Sequence, residues 1–335
     1  MGKVVIPFLP KKDINFDLFK DLMSESIESN QLTNYGPLVK KLEKKAHKML
    51  KLEKDYSVIA TCNGSGALHA IAYAFERKAR EPLSRAVQNF TFPSSAQGSL
   101  SGSHKVDLTL DYQINSQDPL MLQFSKMLLI TNLFGHVQNL DKIFDDLIDN
   151  EKIVIFDNAA TPYTFVGGIN SCCLADASMI SLHHTKPIGF GEGGLAIVKT
   201  SMEKDVREII NFGNVGGEFN ERGSNWKMSE LAAAGILQYW DSFDIDDLAK
   251  KYRENYFNLV YQLNVQYQGD VWPTHCDEDS FFPSNLPYIF KEVTDTDMTN
   301  KVEIKKYYKP LTDLPNSTWV YDRVINFPLH ETVEL

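Results

Sequence analysis

The alternation of short apolar runs with helical stretches constrains the fold of this chain more than any other feature. The runs at residues 127–130 and 153–156 are continuously apolar, which is typical of strands buried on both faces. Three further runs, at residues 58–60, 178–182 and 195–198, have the same character. Because helical stretches separate strands along the chain, the sequence predicts an α/β fold whose mostly parallel mixed sheet is flanked by helices.

Helical periodicity predicts elements before and after this sheet. A first helix is expected near residues 16–29, and a second begins at Pro37, where the missing N–H of proline costs nothing. Past about residue 241 a long amphipathic helix leads into a tail rich in proline, tyrosine and aspartate. We therefore predict a large domain over residues 1–240, which includes an N-terminal helical arm, and a smaller C-terminal α+β domain over residues 241–335.

Composition and charge exclude several functional classes. The chain has 34 lysine and arginine residues against 44 aspartate and glutamate residues, a net charge of −10, so a nucleic-acid partner is not expected. No stretch approaches the roughly 18 consecutive apolar residues of a membrane span, and the first residues lack the apolar region of a signal peptide. The four cysteines are too irregularly spaced for a disulfide framework or a metal site. These features predict a cytoplasmic globular protein.

A glycine-containing turn between a strand and an alanine-rich helix is the first candidate binding feature. It comprises Asn63, Gly64, Ser65 and Gly66. Small residues leave backbone N–H groups accessible, and a helix N-terminus favours an anion, so this turn suits a single phosphate group. An ordinary glycine turn explains the same pattern equally well.

Two candidate reactive side chains follow predicted strands. Asp157 comes after the run at 153–156, at the sheet edge where ligands gather in open α/β folds. Its carboxylate suits a protonated ring nitrogen, although a helix cap is the simpler interpretation of an isolated aspartate. Lys186 follows the run at 178–182. A lysine in a closed pocket can form a Schiff base with an aldehyde, although most isolated lysines are solvated surface charges.

The segment 189–194 literally matches the dinucleotide-binding pattern G-x-G-x-x-G. That pattern requires a helix directly after the glycines. Here a predicted strand at residues 195–198 follows instead, and the next helix begins only near Ser201. A nicotinamide-dependent oxidoreductase is therefore disfavoured, and the glycines are interpreted as positions where the backbone passes close to a bound group. The neighbouring His183 and His184 point opposite ways on an extended segment, so they are not expected to share a metal ion.

Taken together and in this order, these features resemble one known family. The phosphate turn, Asp157, the Ser-x-x-x-x-Lys of residues 181–186 and the Gly-Glu-Gly-Gly of residues 191–194 are similar to those of the DegT/DnrJ/StrS nucleotide-sugar aminotransferases. The resemblance extends from about residue 32 to residue 330. It implies the fold type I architecture of aspartate aminotransferase, with pyridoxal 5′-phosphate (PLP) as the cofactor.

The resemblance implies catalytic roles for two residues. Lys186 would form the Schiff base with PLP and later move the proton between cofactor and substrate carbons. Asp157 would keep the pyridinium nitrogen protonated, so that the ring acts as an electron sink. Gly64 belongs to the turn that would bind the cofactor.

Further residues would hold the cofactor in place. The amides of Ser65 and Gly66, with the hydroxyl of Ser181, would bind the phosphate. Phe92 matches the aromatic residue that stacks on the pyridine ring. Asn225 is similar to the family asparagine that reaches the phosphate from the neighbouring subunit, which implies a homodimer with shared active sites.

The implied reaction is a ping-pong transamination. L-glutamate would donate its amino group and leave pyridoxamine phosphate (PMP), which would then aminate the ketone of a nucleotide-linked keto-sugar. By family analogy we expect a nucleoside-diphosphate 4-keto-6-deoxyhexose, aminated at C4, for amino-sugar and surface-glycan biosynthesis. Amination at C3 and a catalytically silent regulatory relative remain alternatives. A cysteine desulfurase is disfavoured because no cysteine has a setting that lowers its pKa.

The chain also departs from the family pattern. Ala160 stands where family members commonly carry glutamine, so Asn158 or Thr161 would have to meet the phenolic oxygen of the cofactor. Gly66 stands where serine is usual. The basic segment 305–311 resembles a family segment near the substrate and would supply positive charge for a diphosphate, or it is a solvated turn.

Overall fold

The computed structural model describes residues 5–141, 143, 152–293 and 301–333. The strands in these ranges are β1 (Tyr56–Thr61), β2 (Arg85–Gln88), β3 (His104–Val106), β4 (Met127–Thr131), β5 (Ile153–Asp157), β6 (Phe165–Val166), β7 (Ile169–Asn170), β8 (Ala177–Ser181), β9 (Gly194–Lys199), β10 (Gly269–Val271), β11 (Leu286–Phe290) and β12 (Val324–Phe327). The helices are α1 (Phe16–Glu28), α2 (Pro37–Met49), α3 (Gly64–Ala79), α4 (Pro119–Phe124), α5 (Glu203–Ile209), α6 (Glu230–Trp240), α7 (Ile245–Gln266) and α8 (Pro315–Arg323).

A mixed sheet forms the centre of the fold. Among the described residues it has seven strands in the order β1-β9-β8-β5-β4-β2-β3. The pairs from β8 to β3 are all parallel, whereas β9 runs antiparallel to both β8 and β1. The predicted α/β fold with a mostly parallel mixed sheet is therefore confirmed.

The order of the strands brings the ends of β1, β4, β5 and β8 to one edge. Asp157 at the end of β5 pairs with Thr131 at the end of β4. Ser181 at the end of β8 pairs with Gly194, which also pairs with Thr61 at the end of β1. Chemically useful side chains from separate parts of the sequence therefore meet where the strands end, as is general for open α/β sheets.

The predicted helices are confirmed, and local chemistry explains where they begin. Pro37 occupies the first turn of α2, as expected. Asn63 caps α3, because its side chain accepts a hydrogen bond from the amide of Gly66 at 2.8 Å. The amphipathic helix predicted after residue 241 is α7, and it buries Tyr252 and Tyr256 on one face.

The C-terminal part of the chain adds a second, smaller sheet. In it β11 lies between β10 and β12, and both pairs are antiparallel. Leu42 of α2, Trp240 of α6, Leu259 of α7 and Phe327 of β12 belong to one hydrophobic cluster. Full burial of such a side chain contributes about 1.5–3 kcal/mol. This shared core holds the C-terminal elements against the helices of the main sheet.

Strands β2 and β3 were not identified from the sequence. They are only four and three residues long, and they lie in the poorly patterned region between α3 and α4. In the described part of the chain, no helix combines the length and the apolar character needed to cross a bilayer.

Candidate active site

A cavity of about 510 Å³ opens where the strands end. The sheet edge contributes Asp157, Ser181 and Lys186 to its lining, and the turn before α3 contributes Gly64 and Ser65. The other walls come from distant parts of the chain, namely the N-terminal segment (Phe8, Leu9, Pro10) and the C-terminal part (Tyr252, Ser284, Asn285, Tyr307, Tyr308, Leu329, His330).

Asp157 is the buried acid of the cavity. Its side chain is 1% exposed and accepts hydrogen bonds from the Ser95 hydroxyl at 2.9 Å and from the backbone amide of Ala159 at 3.0 Å. Burial raises the pKa of Asp157, and the two hydrogen bonds and the positive charge of Lys186 oppose this rise. The carboxylate is thus held in a fixed orientation at a place where a cationic partner is strongly favoured.

Lys186 lies on the loop that follows β8 and is half-buried. Burial lowers the pKa of its ammonium group, whereas the charge of Asp157 raises it. A lowered pKa increases the fraction of neutral amine, which is the form that attacks an aldehyde. Asp157 and Lys186 therefore stabilise each other's charged forms against a common desolvation cost.

The phosphate turn packs directly on the strand that leads to Lys186. A Cβ at Gly64 would lie 3.0 Å from the sulfur of Met179 and 3.3 Å from the Cβ of Ser181, so glycine permits this approach. Ser65 lines the cavity at the N-terminus of α3. The Ser181 hydroxyl accepts the His183 amide at 3.3 Å, which leaves its own O–H able to donate.

The amide of Gly66 is expected to bind a phosphate, but the structure gives it a different partner. In the structure this amide donates to the Asn63 side chain at 2.8 Å, because Asn63 is the N-cap of α3. The replacement of the usual serine also has a steric reason. A Cβ at position 66 would lie 3.0 Å from the indole of Trp226.

The glycines at 189–194 allow close packing of the chain on itself. A Cβ at Gly189 would lie 2.0 Å from the carbonyl oxygen of His183, and a Cβ at Gly194 would lie 2.4 Å from the backbone of Asn63. The interpretation that these glycines leave room for a bound group is therefore wrong at these two positions. Gly189 lets the Lys186 loop fold back on its own backbone, and Gly194 lets the start of β9 pack on the phosphate turn. As the sequence predicts, β9 begins directly at Gly194.

Two other predicted residues occupy different settings. Phe92 lines the cavity with 55% of its surface exposed, and its ring meets that of Tyr308 edge to face at 6.5 Å between centroids. Asn225 is exposed and is not among the residues that line the cavity. It lies on a segment whose backbone bridges to Asn211. Within one chain, the structure does not bring Asn225 to the cavity.

The two side chains expected to replace the family glutamine are engaged elsewhere. Asn158 accepts from the Asn132 side chain at 2.7 Å and donates towards Ser171 at 3.2 Å. The Thr161 hydroxyl donates to the Asn132 carbonyl at 2.6 Å. Both residues are fully buried and neither lines the cavity, whereas Ala160 does. Neither replacement is available in this conformation.

The basic segment 305–311 meets the cavity through its tyrosines. Tyr307 and Tyr308 line the cavity. Burial, and the nearby charge of Asp157, raise the pKa of Tyr308, so its hydroxyl stays protonated at neutral pH. Lys305 instead forms an ion pair with Glu303 at 3.5 Å. The positive charge expected for a diphosphate is therefore not among the groups that line the cavity.

Several site residues were missed by the sequence analysis. Ser95 follows Pro93 in a 3₁₀ turn, a signal that predicts a turn but not contact with Asp157. Phe8 and His330 lie near opposite ends of the chain, and only folding brings them together. Among the described residues, no group of three or more His, Cys, Asp or Glu side chains could hold a metal ion.

This chain is similar to several known proteins in sequence and in fold. An uncharacterized protein of Methanocaldococcus jannaschii, MJ1066, is 21% identical over 259 residues, which is 65% of this chain and 66% of that relative's length. The crystal structure of DesI with its TDP-sugar product is 21% identical, with 98% of this chain and 88% of that chain covered and a TM-score of 0.78. NtdA of Bacillus subtilis with bound cofactor PMP is 18% identical, with coverage of 98% and 81% and a TM-score of 0.77.

The two solved structures show that the fold is shared. The family is shown by sequence, because the model of the DegT/DnrJ/EryC1/StrS aminotransferases matches residues 16–280, which include the phosphate turn, Asp157 and Lys186. The chain belongs to the DegT/DnrJ/EryC1/StrS aminotransferase family.

Proposed function

We propose that this protein is a cytoplasmic PLP-dependent aminotransferase that transfers the amino group of L-glutamate to a nucleotide-linked keto-sugar. The convergence of Lys186, Asp157 and the N-terminus of α3 on one cavity is the observation that supports this most. A silent relative would have no need of a buried carboxylate and a desolvated lysine in the same cavity, since both are costly to the fold.

The residues of the cavity fit PLP. Asp157 offers a buried carboxylate to the protonated ring nitrogen, and Lys186 offers an amine with a lowered pKa to the aldehyde. The α3 N-terminus at Ser65, with the Ser181 hydroxyl, suits the phosphate. Phe92 supplies an aromatic face beside the ring. When bound, PLP supplies an electron sink for the carbanion that forms at the reacting carbon.

The protein's own groups perform the proton transfers. In the first half-reaction the neutral Nζ of Lys186 would take the proton from the α-carbon of the donor amino acid and deliver it to the reacting carbon of the cofactor. In the second half-reaction it would move a proton from that carbon to the amine-bearing carbon of the sugar. Burial of the site excludes water and so limits loss of the proton to solvent during each transfer. Asp157 holds its negative charge opposite the ring nitrogen, while Ser95 and the Ala159 amide keep its oxygens oriented.

The sugar substrate is proposed from the family and from the wall opposite the sheet. We propose a nucleoside-diphosphate 4-keto-6-deoxyhexose, aminated at C4 in amino-sugar and surface-glycan biosynthesis. The structure of DesI with a TDP-sugar product supports a nucleotide sugar as the substrate class. Phe8, Tyr308 and Leu329 give that wall an apolar character that suits the methyl group of a deoxyhexose.

The oligomer and the domains are also proposals. We propose a homodimer in which Asn225 of each chain reaches the phosphate site of the other. The exposure of Asn225, and of Phe212 (45%) and Phe219 (71%) on the adjoining segment, supports an interface there. We propose residues 1–240 as the large domain and 241–335 as the small one.

A glutamate-dependent amination assay with dTDP-, UDP- and GDP-linked keto-sugars tests the proposal. We expect 2-oxoglutarate and one amino sugar from wild-type protein, and nothing from Lys186→Ala. NMR of the product separates C4 from C3 amination. A wild-type protein that takes up no PLP and transfers no amino group with any of these sugars would rule out the proposed function.

A further inference from the structure

A single ammonium group connects the N-terminal segment to the loop that carries Lys186. This group is the Nζ of Lys12. Its acceptors are three backbone carbonyl oxygens of that loop, those of His184 (2.8 Å), Lys186 (2.6 Å) and Gly189 (2.5 Å). An ammonium group has three N–H donors, so the three carbonyls match its full donor capacity.

Two side chains of α6 bind two further carbonyls of the same loop. The Tyr239 hydroxyl donates to the Pro187 carbonyl at 2.9 Å, and the Trp240 indole donates to the Ile188 carbonyl at 2.7 Å. Side chains therefore bind the carbonyls of residue 184 and of residues 186–189. The loop also has backbone bonds of its own, from the Lys186 amide to the His183 carbonyl and from the Gly189 amide to the Lys186 carbonyl, both at 2.9 Å. Those bonds shape the loop internally, whereas the side-chain bonds fix it against α6 and the N-terminal segment.

Burial and the polar surroundings of Lys12 act in opposite directions on its charge. Burial lowers the pKa of Lys12 to about 7, whereas the carbonyl oxygens and the face of the Tyr239 ring, 4.9 Å from Nζ, favour the ammonium form. Charge-assisted hydrogen bonds are stronger than neutral ones. Lys12 is therefore a strong restraint on the loop.

The segment that carries Lys12 is itself fixed on both sides. Before Lys12, the amide of Phe8 donates to Glu303 at 2.9 Å and the carbonyl of Pro7 bonds to His330 at 2.9 Å. After Lys12, the amide of Asn15 donates to Gln238 at 2.9 Å. Residues 8–10 also line the cavity. One anchored segment thus contacts both the cavity and the backbone of the lysine loop.

We propose that Lys12 is a positioning residue that holds the backbone of Lys186 where its amine can react. This inference rests on the proposed function, because it concerns the covalent attachment of PLP to Lys186, which releases one water. PMP has an amine in place of the aldehyde and forms no bond to Lys186. Covalent capture of PLP therefore depends on the position of the Lys186 amine, whereas binding of PMP depends on the rest of the site.

The test compares binding of PLP and PMP to Lys12→Met with binding to a matched control, Lys11→Met. The side chain of Lys11 is 87% exposed and forms an ion pair with the exposed Asp13 at 3.0 Å. We expect Lys12→Met to slow covalent capture of PLP, followed by visible absorbance, roughly ten-fold, since small misplacements of reacting groups are costly. Its affinity for PMP should stay within about two-fold of wild type, as a site that is otherwise intact requires.

A second measurement does not involve the cofactor. Hydrogen exchange of cofactor-free Lys12→Met should be faster at residues 182–191 and unchanged in β4 and β5. If Lys12→Met does not fold, Lys12→Gln, which retains two donors, takes its place with a smaller expected effect. Unchanged PLP capture, or an equal loss of PLP and PMP binding, would overturn the proposal. A wild-type protein that binds neither form would instead contradict the proposed function.

Discussion

At the scale of single residues, the site depends on groups whose burial opposes their charge. Burial raises the pKa of Asp157 and lowers that of Lys186, and each charge partly compensates the other. Such paired perturbations mark functional sites more often than structural ones. The same residues that suit the chemistry are therefore expected to cost the fold some stability.

Replacement of Asp157 by asparagine tests whether the buried charge of Asp157 lowers the stability of the fold. Burial makes the pKa of Asp157 higher in the folded than in the unfolded chain. The stability that the protonated carboxyl contributes is therefore present below the unfolded pKa and is lost as the pH rises through the folded pKa. The ionised carboxylate is thus unfavourable at neutral pH, and the isosteric amide should raise the melting temperature of the cofactor-free protein at pH 7–8. Aminotransferase activity should fall at least about 100-fold. A lower melting temperature would contradict this account; Asp21→Asn, exposed on α1 and outside the cavity lining, is the control.

Gly66 and Trp226 form a second test at this scale. The serine that is usual at position 66 would place its Cβ 3.0 Å from the indole, which itself stacks on His69 and Tyr73 and cannot easily move. Gly66→Ser should therefore weaken PLP binding by roughly ten-fold or more, measured by absorbance titration. In a Trp226→Ala background the same serine should cost much less. Equal effects in both backgrounds would show that the indole is not the cause.

At the scale of elements, the start of α2 depends on a side chain from α6. The N-cap position of α2 is Gly36, which has no capping side chain. Glu230, fully buried at the start of α6, accepts the amides of Leu38 (2.7 Å) and Val39 (3.1 Å) and the hydroxyl of Ser26 (2.7 Å). Its negative charge also complements the positive end of the α2 dipole. Glu230 thus joins α1, α2 and α6.

Removal of this carboxylate should destabilise the whole protein. Glu230→Ala leaves three buried donors without an acceptor, so we expect the free energy of unfolding to fall by about 3–5 kcal/mol in urea titrations. Glu254→Ala is the matched control, because Glu254 is exposed on α7 and only pairs with Lys250 at 4.0 Å. That change should stay within about 0.5 kcal/mol. Comparable losses for both variants would contradict a capping role for Glu230.

At the scale of the whole molecule, one chain assembles most of the proposed site but not all of it. The sheet edge, the N-terminal segment and the C-terminal part enclose the cavity, while Asn225 remains exposed outside it. In a two-fold dimer, Asn225 of each chain would complete the site of the other chain, because one interface contributes to two sites. The assignment of Asn225 can therefore be tested only on the assembly.

Subunit complementation provides that test. Lys186→Ala and Asn225→Ala should each be poorly active alone. If the chains are mixed and exchanged, a heterodimer has one site with an intact Lys186 from one chain and an intact Asn225 from the other. We expect roughly a quarter of wild-type activity to return in an equimolar mixture. No recovery, with exchange verified by mass spectrometry, would indicate that each site is completed within one chain.

The sequence by itself predicted the architecture and the candidate pair Asp157 and Lys186. Apolar runs and helical periodicity predicted the main strands and helices, because burial on both faces of a parallel sheet requires continuous apolar residues. Asp157 directly follows such a run and Lys186 lies four residues past another, so both were candidates for the edge where strand ends meet. The resemblance to a known family then implied their roles. The phosphate turn was recognisable for the same reason, as a small-residue link from β1 to α3.

Only the tertiary structure decided which distant side chains support this architecture, Asp157 and the Lys186 loop. Ser95 bonds Asp157 across 62 positions, Lys12 bonds the Lys186 loop across more than 170, and Glu230 caps α2 across about 190. Nothing local to these residues distinguishes them, because a buried donor or charge is identified by its partner and not by its neighbours in sequence. The same holds for Gly66. Its amide donates to the Asn63 side chain, and the space that a Cβ would need is occupied by Trp226, which is 160 positions away in the sequence.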